Sequence, residues 1–206
     1  NLYIAGKIEV SLNDNAFFVV SLTTDGVERW VYQYQTGGQD EAKSIVYGVN
    51  DTIYAAGTVY NESENYLDIM VVALTSEGQQ VGIYTYSGPS NMNDECNSMV
   101  YGEDGNLYIT GWTWTSTPDR NGVCISVTSS LNERWIYIDD RSNTSEFYSL
   151  IYGEDQNIYL AGYYEVTGED TILIKSLNTL GGERWEYILR PGKAYSLVFG
   201  NDGKLY

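Results

Sequence analysis

The sequence predicts an all-β fold assembled from four copies of one antiparallel unit. Three observations carry that expectation: aromatic and glycine columns that recur at near-constant spacing, an apolar alternation of period two, and Asn/Asp/Gly turns between the alternating runs. Tyr3, Tyr54, Tyr108, Tyr159 and Tyr206 stand 51, 54, 51 and 47 residues apart. The first four are each followed three residues later by Gly6, Gly57, Gly111 and Gly162. A second glycine column, Gly48, Gly102, Gly153 and Gly200, precedes the tyrosines. A third column reads Trp30, Gly82, Trp135 and Trp185, with Arg29, Arg134 and Arg184 before the tryptophans and Tyr32, Tyr84, Tyr137 and Tyr187 two residues on.

Each repeat divides into four strands. In the second, 43–48 alternates as a short strand and Val49-Asn50-Asp51 makes a turn into a strand over 52–60. A polar loop follows, then the apolar run 68–74, a turn at Ser76-Glu77-Gly78, and a last strand over 82–86. Pro89, Pro118 and Pro191 all fall between strands, where a missing N–H breaks no ladder. No segment carries a helical apolar stripe. A four-stranded meander cannot bury both faces alone, so the units stack, and a period of about 51 residues points to the blades of a β-propeller.

The residues resemble a family, the bacterial and archaeal β-propeller repeats of the SBBP type. The resemblance rests on Gly102-Glu103-Asp104-Gly105-Asn106-Leu107-Tyr108-Ile109-Thr110-Gly111, on Asp170-Thr171-Ile172-Leu173-Ile174-Lys175-Ser176-Leu177, and on Glu183-Arg184-Trp185-Glu186-Tyr187. It spans the whole chain and departs from the pattern at Gly82. By this likeness 43–48 is the innermost strand of its blade and 80–87 the outermost. Residues 1–35 supply strands two to four of one blade, full blades occupy about 42–88, 96–140 and 147–190, and an innermost strand lies at 194–200. Residues 1–206 then form a single domain with repeats starting near 1, 52, 106 and 157. The ring is either a four-bladed one closed by pairing 194–200 with 1–10, or a larger one of which this chain is a window. The family's members are scaffolds on secreted and surface proteins, which implies an extracellular or cell-surface location.

Composition narrows the function classes. The 206 residues include 11 basic and 28 acidic side chains, a net charge of −17, and no histidine. Such a surface repels phosphate, which excludes nucleic acid as the expected partner. Without histidine the usual general base near neutral pH, the commonest zinc ligand and the Ser-His and Cys-His pairs are all lacking, so no enzyme activity and no catalytic residue are expected. No apolar run reaches the ~18 residues of a membrane helix. Apolar residues make up 43% of the chain and aromatics 14%, which suits a packed core rather than a disordered acidic tail.

The candidate sites follow from what does not repeat. Trp112, Trp114, Asp119, Arg120, Tyr163 and Tyr164 lie where second strands run into variable loops, and their rings offer faces to sugars or to protein side chains. The loop 60–66 is likewise aromatic and polar together. Glu41, Asp94, Glu95 and Glu146 recur before the innermost strands, where carboxylates at a channel mouth would suit Ca²⁺, the one cofactor the sequence admits. Lys193 breaks that column. The Asp/Asn-Gly turns read as hairpin turns rather than metal loops. Cys96 and Cys124 occupy apolar columns and read as buried hydrophobes. Asn50, Asn61 and Asn143 open N-x-S/T sequons in turns or loops, glycosylation sites if the chain is exported.

The expected function is a non-catalytic scaffold that binds a protein or carbohydrate partner through its variable loops. Two alternatives stand beside it: a structural subunit of a surface layer or filament, joined to further repeats or to itself, and a propeller enzyme using carboxylates and a cation at the channel mouth.

Overall fold

In the computed structural model, residues 1–116, 120–141 and 144–206 are described. Their architecture is all-β. One three-stranded sheet comprises β1 (Leu2–Ser11), β2 (Asp14–Leu22) and β3 (Glu28–Tyr34). Three four-stranded sheets follow. The first is β4 (Glu41–Tyr47), β5 (Ile53–Asn61), β6 (Tyr66–Leu74) and β7 (Gln80–Tyr86). The second is β8 (Asp94–Tyr101), β9 (Asn106–Trp114), β10 (Arg120–Thr128) and β11 (Glu133–Ile138). The third is β12 (Ser145–Tyr152), β13 (Asn157–Val166), β14 (Glu169–Asn178) and β15 (Glu183–Leu189). Within every sheet the strands lie side by side in chain order, as antiparallel meanders. Among the described residues no helix is long and apolar enough to cross a membrane.

The chain forms two compact units, Asn1–Cys96 with Ser129–Asn132, and Asn97–Thr128 with Glu133–Tyr206. In the first, Phe17 and Val19 of β2 pack on Ala42, Ile53, Ala55, Met70 and Val72 of the following sheet. In the second, Tyr108 and Cys124 pack on Phe147, Leu150, Leu160 and Leu173. Middle strands are buried on both faces, which is why β6 reads as a continuous apolar run rather than an alternating one.

The repeating columns have distinct physical duties. A Cβ on Gly57 would fall on the backbone carbonyl of Glu41, and one on Gly162 on that of Glu146, so this column lets the innermost strand bulge against its neighbour. The turn aspartates accept tyrosine hydroxyls, Tyr108 on Asp104 and Tyr159 on Asp155, each at 2.6 Å. The Arg-Trp column fastens one sheet to the next. Arg29 and the Trp30 indole both donate to the Ser76 carbonyl, at 3.3 and 2.8 Å. Arg134 and Trp135 repeat this on Thr179, at 3.1 and 3.0 Å. In the second repeat Tyr54 donates instead to Ser129, the same turn position, at 2.8 Å.

Residues 194–200 make only the start of a ladder, in the register by which Val46 and Tyr47 of β4 pair with Tyr54 and Ile53 of β5. Val198 and Tyr206 exchange both backbone hydrogen bonds at 3.0 Å, and the turn at Gly200–Gly203 folds this segment onto its own continuation, with a single bridge between Phe199 and Leu205.

Candidate functional site

The polar loop 60–66 borders a cleft of about 560 Å³ in the first unit. Tyr34 closes one side from the end of β3, Tyr60 and Asn61 from the end of β5, and Asp68 and Thr85 come from β6 and β7. A buried carboxylate sets this geometry. Asp40, fully buried, accepts the backbone N–H of Thr36 at 2.7 Å, its hydroxyl at 2.7 Å, and the backbone N–H of Tyr60 at 2.8 Å. It thereby ties the segment after β3 to the end of β5, satisfying groups that would be costly to bury unpaired.

The loop itself is held from within. Asn61 donates to Asp68 at 2.8 Å while its carbonyl oxygen accepts the Ser63 hydroxyl at 2.7 Å. Ser87 donates to the other Asp68 oxygen at 2.8 Å. Asn65 takes a left-handed conformation (φ 63°) and accepts the Tyr60 hydroxyl at 2.7 Å. The cleft therefore presents amides, hydroxyls and carboxylates on a fixed backbone between two tyrosines, which suits a ligand rich in hydroxyl groups.

The aromatic patch expected from the sequence divides in two. Trp112 and Tyr163 are buried, at 6% and 4% exposure, and Arg120 joins them. Its guanidinium lies 4.7 Å from the Trp112 ring centroid and donates to the Tyr163 hydroxyl at 2.8 Å and to Glu146 at 3.1 Å. Tyr148 stacks on Tyr163, and Lys193 caps the same ring at 3.6 Å. Trp114 meets Trp112 edge-on at 6.5 Å and is half-buried. Tyr164, next along β13, faces the other way, under Arg141 at 4.6 Å. Asp119 lies outside the described residues.

The recurring carboxylates are each engaged. Glu41 pairs with Lys7 at 3.4 Å, Glu95 with Lys43 at 3.1 Å and Glu146 with Arg120. Asp94, fully buried like Asp40, accepts the backbone N–H of Gly88. Among the described residues no group of three or more His, Cys, Asp and Glu side chains is placed to hold a metal ion. Cys96 and Cys124 are fully buried and form no disulfide with each other, and burial pushes the Cys124 thiol well above its ordinary pKa. Asn50 is exposed at a positive φ of 53°, Asn61 is occupied as above, and Asn143 lies outside the described residues.

No protein-family model matches the chain. No curated protein matches it either. A crystal structure of a protein of unknown function from Bacteroides caccae is similar over 85% of this chain and 78% of its own, at 8% identity and a TM-score of 0.34. The reading of the site rests on its own residues.

Sequence reasoning passed over Tyr34, Thr36, Asp68 and Thr85 as parts of a site. Asp68 carried a signal, a charge at the head of the run Ile69–Leu74, since a carboxylate beside a buried strand needs donors. Tyr34 and Thr85 sit in columns of outer-strand residues, and nothing local marks them out.

Proposed function

We propose that this chain is a non-catalytic, extracellular or cell-surface β-propeller scaffold that binds a carbohydrate in the cleft between Tyr34 and Tyr60. Support for the propeller comes from meanders in chain order, a period of about 51 residues and the Arg-Trp fastening between successive sheets. The observation that carries the binding reading is the preorganised cleft, whose polar groups are fixed by Asp40 and Asp68 before any ligand arrives. Preorganisation cuts the ordering cost that otherwise weakens sugar binding. A binding rather than catalytic role agrees with a chain that has no histidine and two fully buried thiols.

Titration calorimetry against neutral oligosaccharides (cello-, chito-, manno- and xylo-oligosaccharides) tests the reading. At least one should bind, and Tyr34→Ala should weaken it about tenfold, the loss of ~1.4 kcal/mol, without changing the melting temperature by more than a few degrees. Silence across the panel, or binding indifferent to Tyr34→Ala, would sink it.

A further inference from the structure

The cleft between Tyr34 and Tyr60 is lined by carboxylates and by no cation among the described residues. Asp68 is 6% exposed, and its two oxygens accept Asn61 and Ser87, neither of them charged. Glu62 is exposed on the same wall. Glu64 accepts the Ser87 hydroxyl at 3.1 Å, which brings a further carboxylate close to Asp68. The three basic side chains of this unit are committed elsewhere: Lys7 to Glu41, Lys43 to Glu95, and Arg29 to Ser21 and the Ser76 carbonyl. Hydrogen bonds offset only part of the cost of burying a carboxylate, so this wall favours a ligand that brings a positive charge.

The repeat shows what the equivalent position takes. Counted from the Tyr32 and Tyr137 column, Thr36 corresponds to Arg141, and counted from Gly57 and Gly162, Val59 corresponds to Tyr164. The register agrees, since Val59 pairs with Asp68 and Tyr164 with Thr171, its counterpart. In the second unit Arg141 lies over the Tyr164 ring at 4.6 Å and donates to Asp139 at 2.7 Å and to Glu186. A guanidinium bonded to two carboxylates and seated on an aromatic ring thus fills that place. In the first unit Thr36 is too short to do the same and turns its hydroxyl onto Asp40.

We propose that the sugar bound in this cleft carries a protonated primary amine, an amino sugar without its N-acetyl group, held by Asp68 and Glu62 as the Arg141 guanidinium is held by Asp139 and Glu186. The proposal rests on the carbohydrate reading of the cleft and adds the charge of the ligand to it. Acetylation of the amine removes the charge that these carboxylates select. A uronate meets carboxylates alone and is repelled.

Calorimetry of the whole chain at low salt with glucosamine oligomers, their N-acetylated forms and galacturonate oligomers of equal length tests this. The amine form should bind at least about fivefold tighter than the acetylated one, the reach of an exposed ion pair, and the uronate more weakly than either. Glu62→Gln, at an exposed residue, should narrow the gap while affinity for the acetylated oligomer stays unchanged. Raising the salt to about 1 M should narrow it as well. Asp25 sits in the turn before β3, at the opposite end of that strand from Tyr34. Asp25→Asn removes the same charge there and should leave the gap intact, which separates this cleft from the general attraction of a chain at −17. Equal affinity for amine and acetylated forms, or a gap indifferent to Glu62→Gln, would overturn the proposal and leave the carbohydrate reading standing. Silence of all three ligands overturns it too, and the neutral panel then shows whether carbohydrate binding itself fails.

Discussion

The indole of Trp30 lies on Gly78, so closely that a single added Cβ would come within 2.5 Å of its Cδ2 atom. Gly78 also holds a φ of 81°, which L side chains rarely adopt. Gly78→Ala should therefore cost about 2 kcal/mol or more, strain and overpacking together. Gly168→Ala has the same backbone problem (φ 83°) with nothing within 4 Å, and should cost about 1 kcal/mol. Urea melts of the two variants separate packing from strain.

Where Gly82 replaces tryptophan, Leu131 replaces the glycine, and its Cδ1 lies 3.2 Å from where a Gly82 Cβ would be. Gly82→Trp alone should destabilise by overpacking, by about 1–3 kcal/mol. Adding Leu131→Gly should recover most of that loss, a coupling of at least about 1 kcal/mol in a double-mutant cycle.

Lys175, 2% exposed, holds Asp139 at 3.1 Å, Glu183 at 2.9 Å and Glu186 at 3.4 Å, with Arg141 also paired to Asp139 and Glu186. Burial alone would lower the lysine pKa, but hydrogen bonds with Tyr137 and Glu183 and the Asp139 charge carry it above its ordinary value. Lys175→Met removes one of the two cations from the buried Asp139 and should cost about 3 kcal/mol.

The same cluster sets a pH dependence with two limbs. Glu183, hydrogen-bonded by Lys175, and Glu186, where burial raises the carboxyl but Arg141 and Lys175 together outweigh it, both titrate below the ordinary glutamate value of 4.5. Their stabilisation is complete above pH 4.5 and is lost as pH falls through the lowered folded values. Lys175 has the opposite sign: its contribution is complete below the ordinary 10.5 and is lost as pH rises through the raised folded value. Melting temperature against pH should fall at both ends, and Lys175→Met should flatten both limbs.

Trp112→Ala removes a buried ring that supports the Arg120 guanidinium, and should lower stability by about 3 kcal/mol. Trp114→Ala, at a half-buried ring, should cost about 1 kcal/mol. Thermal melts of the single variants check the difference.

Strand positions were legible because period-two alternation and the glycine and tyrosine columns mark them locally: 52–60 and 68–74 fall within a residue or two of β5 and β6. The exchange at Gly82 was visible as a departure from pattern, but its partner Leu131 was not, because the contact belongs to tertiary packing and leaves no local trace. Trp112 and Tyr163 were found as non-repeating aromatics, while their burial comes from tertiary contacts with Arg120, Tyr148 and Lys193 that leave no local trace. The cleft escaped notice for a related reason. In sequence Asp40 is simply the acid beside Glu41, and only the fold turns it inward to bind two backbone N–H groups.

The exchange at Gly82 and Leu131 also constrains how such a gene can grow. Every other fastening seen in full is tryptophan over glycine, so those units are interchangeable parts. Duplicating the third repeat alone would drive Trp135 against a copied Leu131, and duplicating the second alone would leave Gly82 facing Gly78 across a void. The second and third repeats can be copied, moved or deleted only together, a two-repeat module of inheritance within a lineage of single ones.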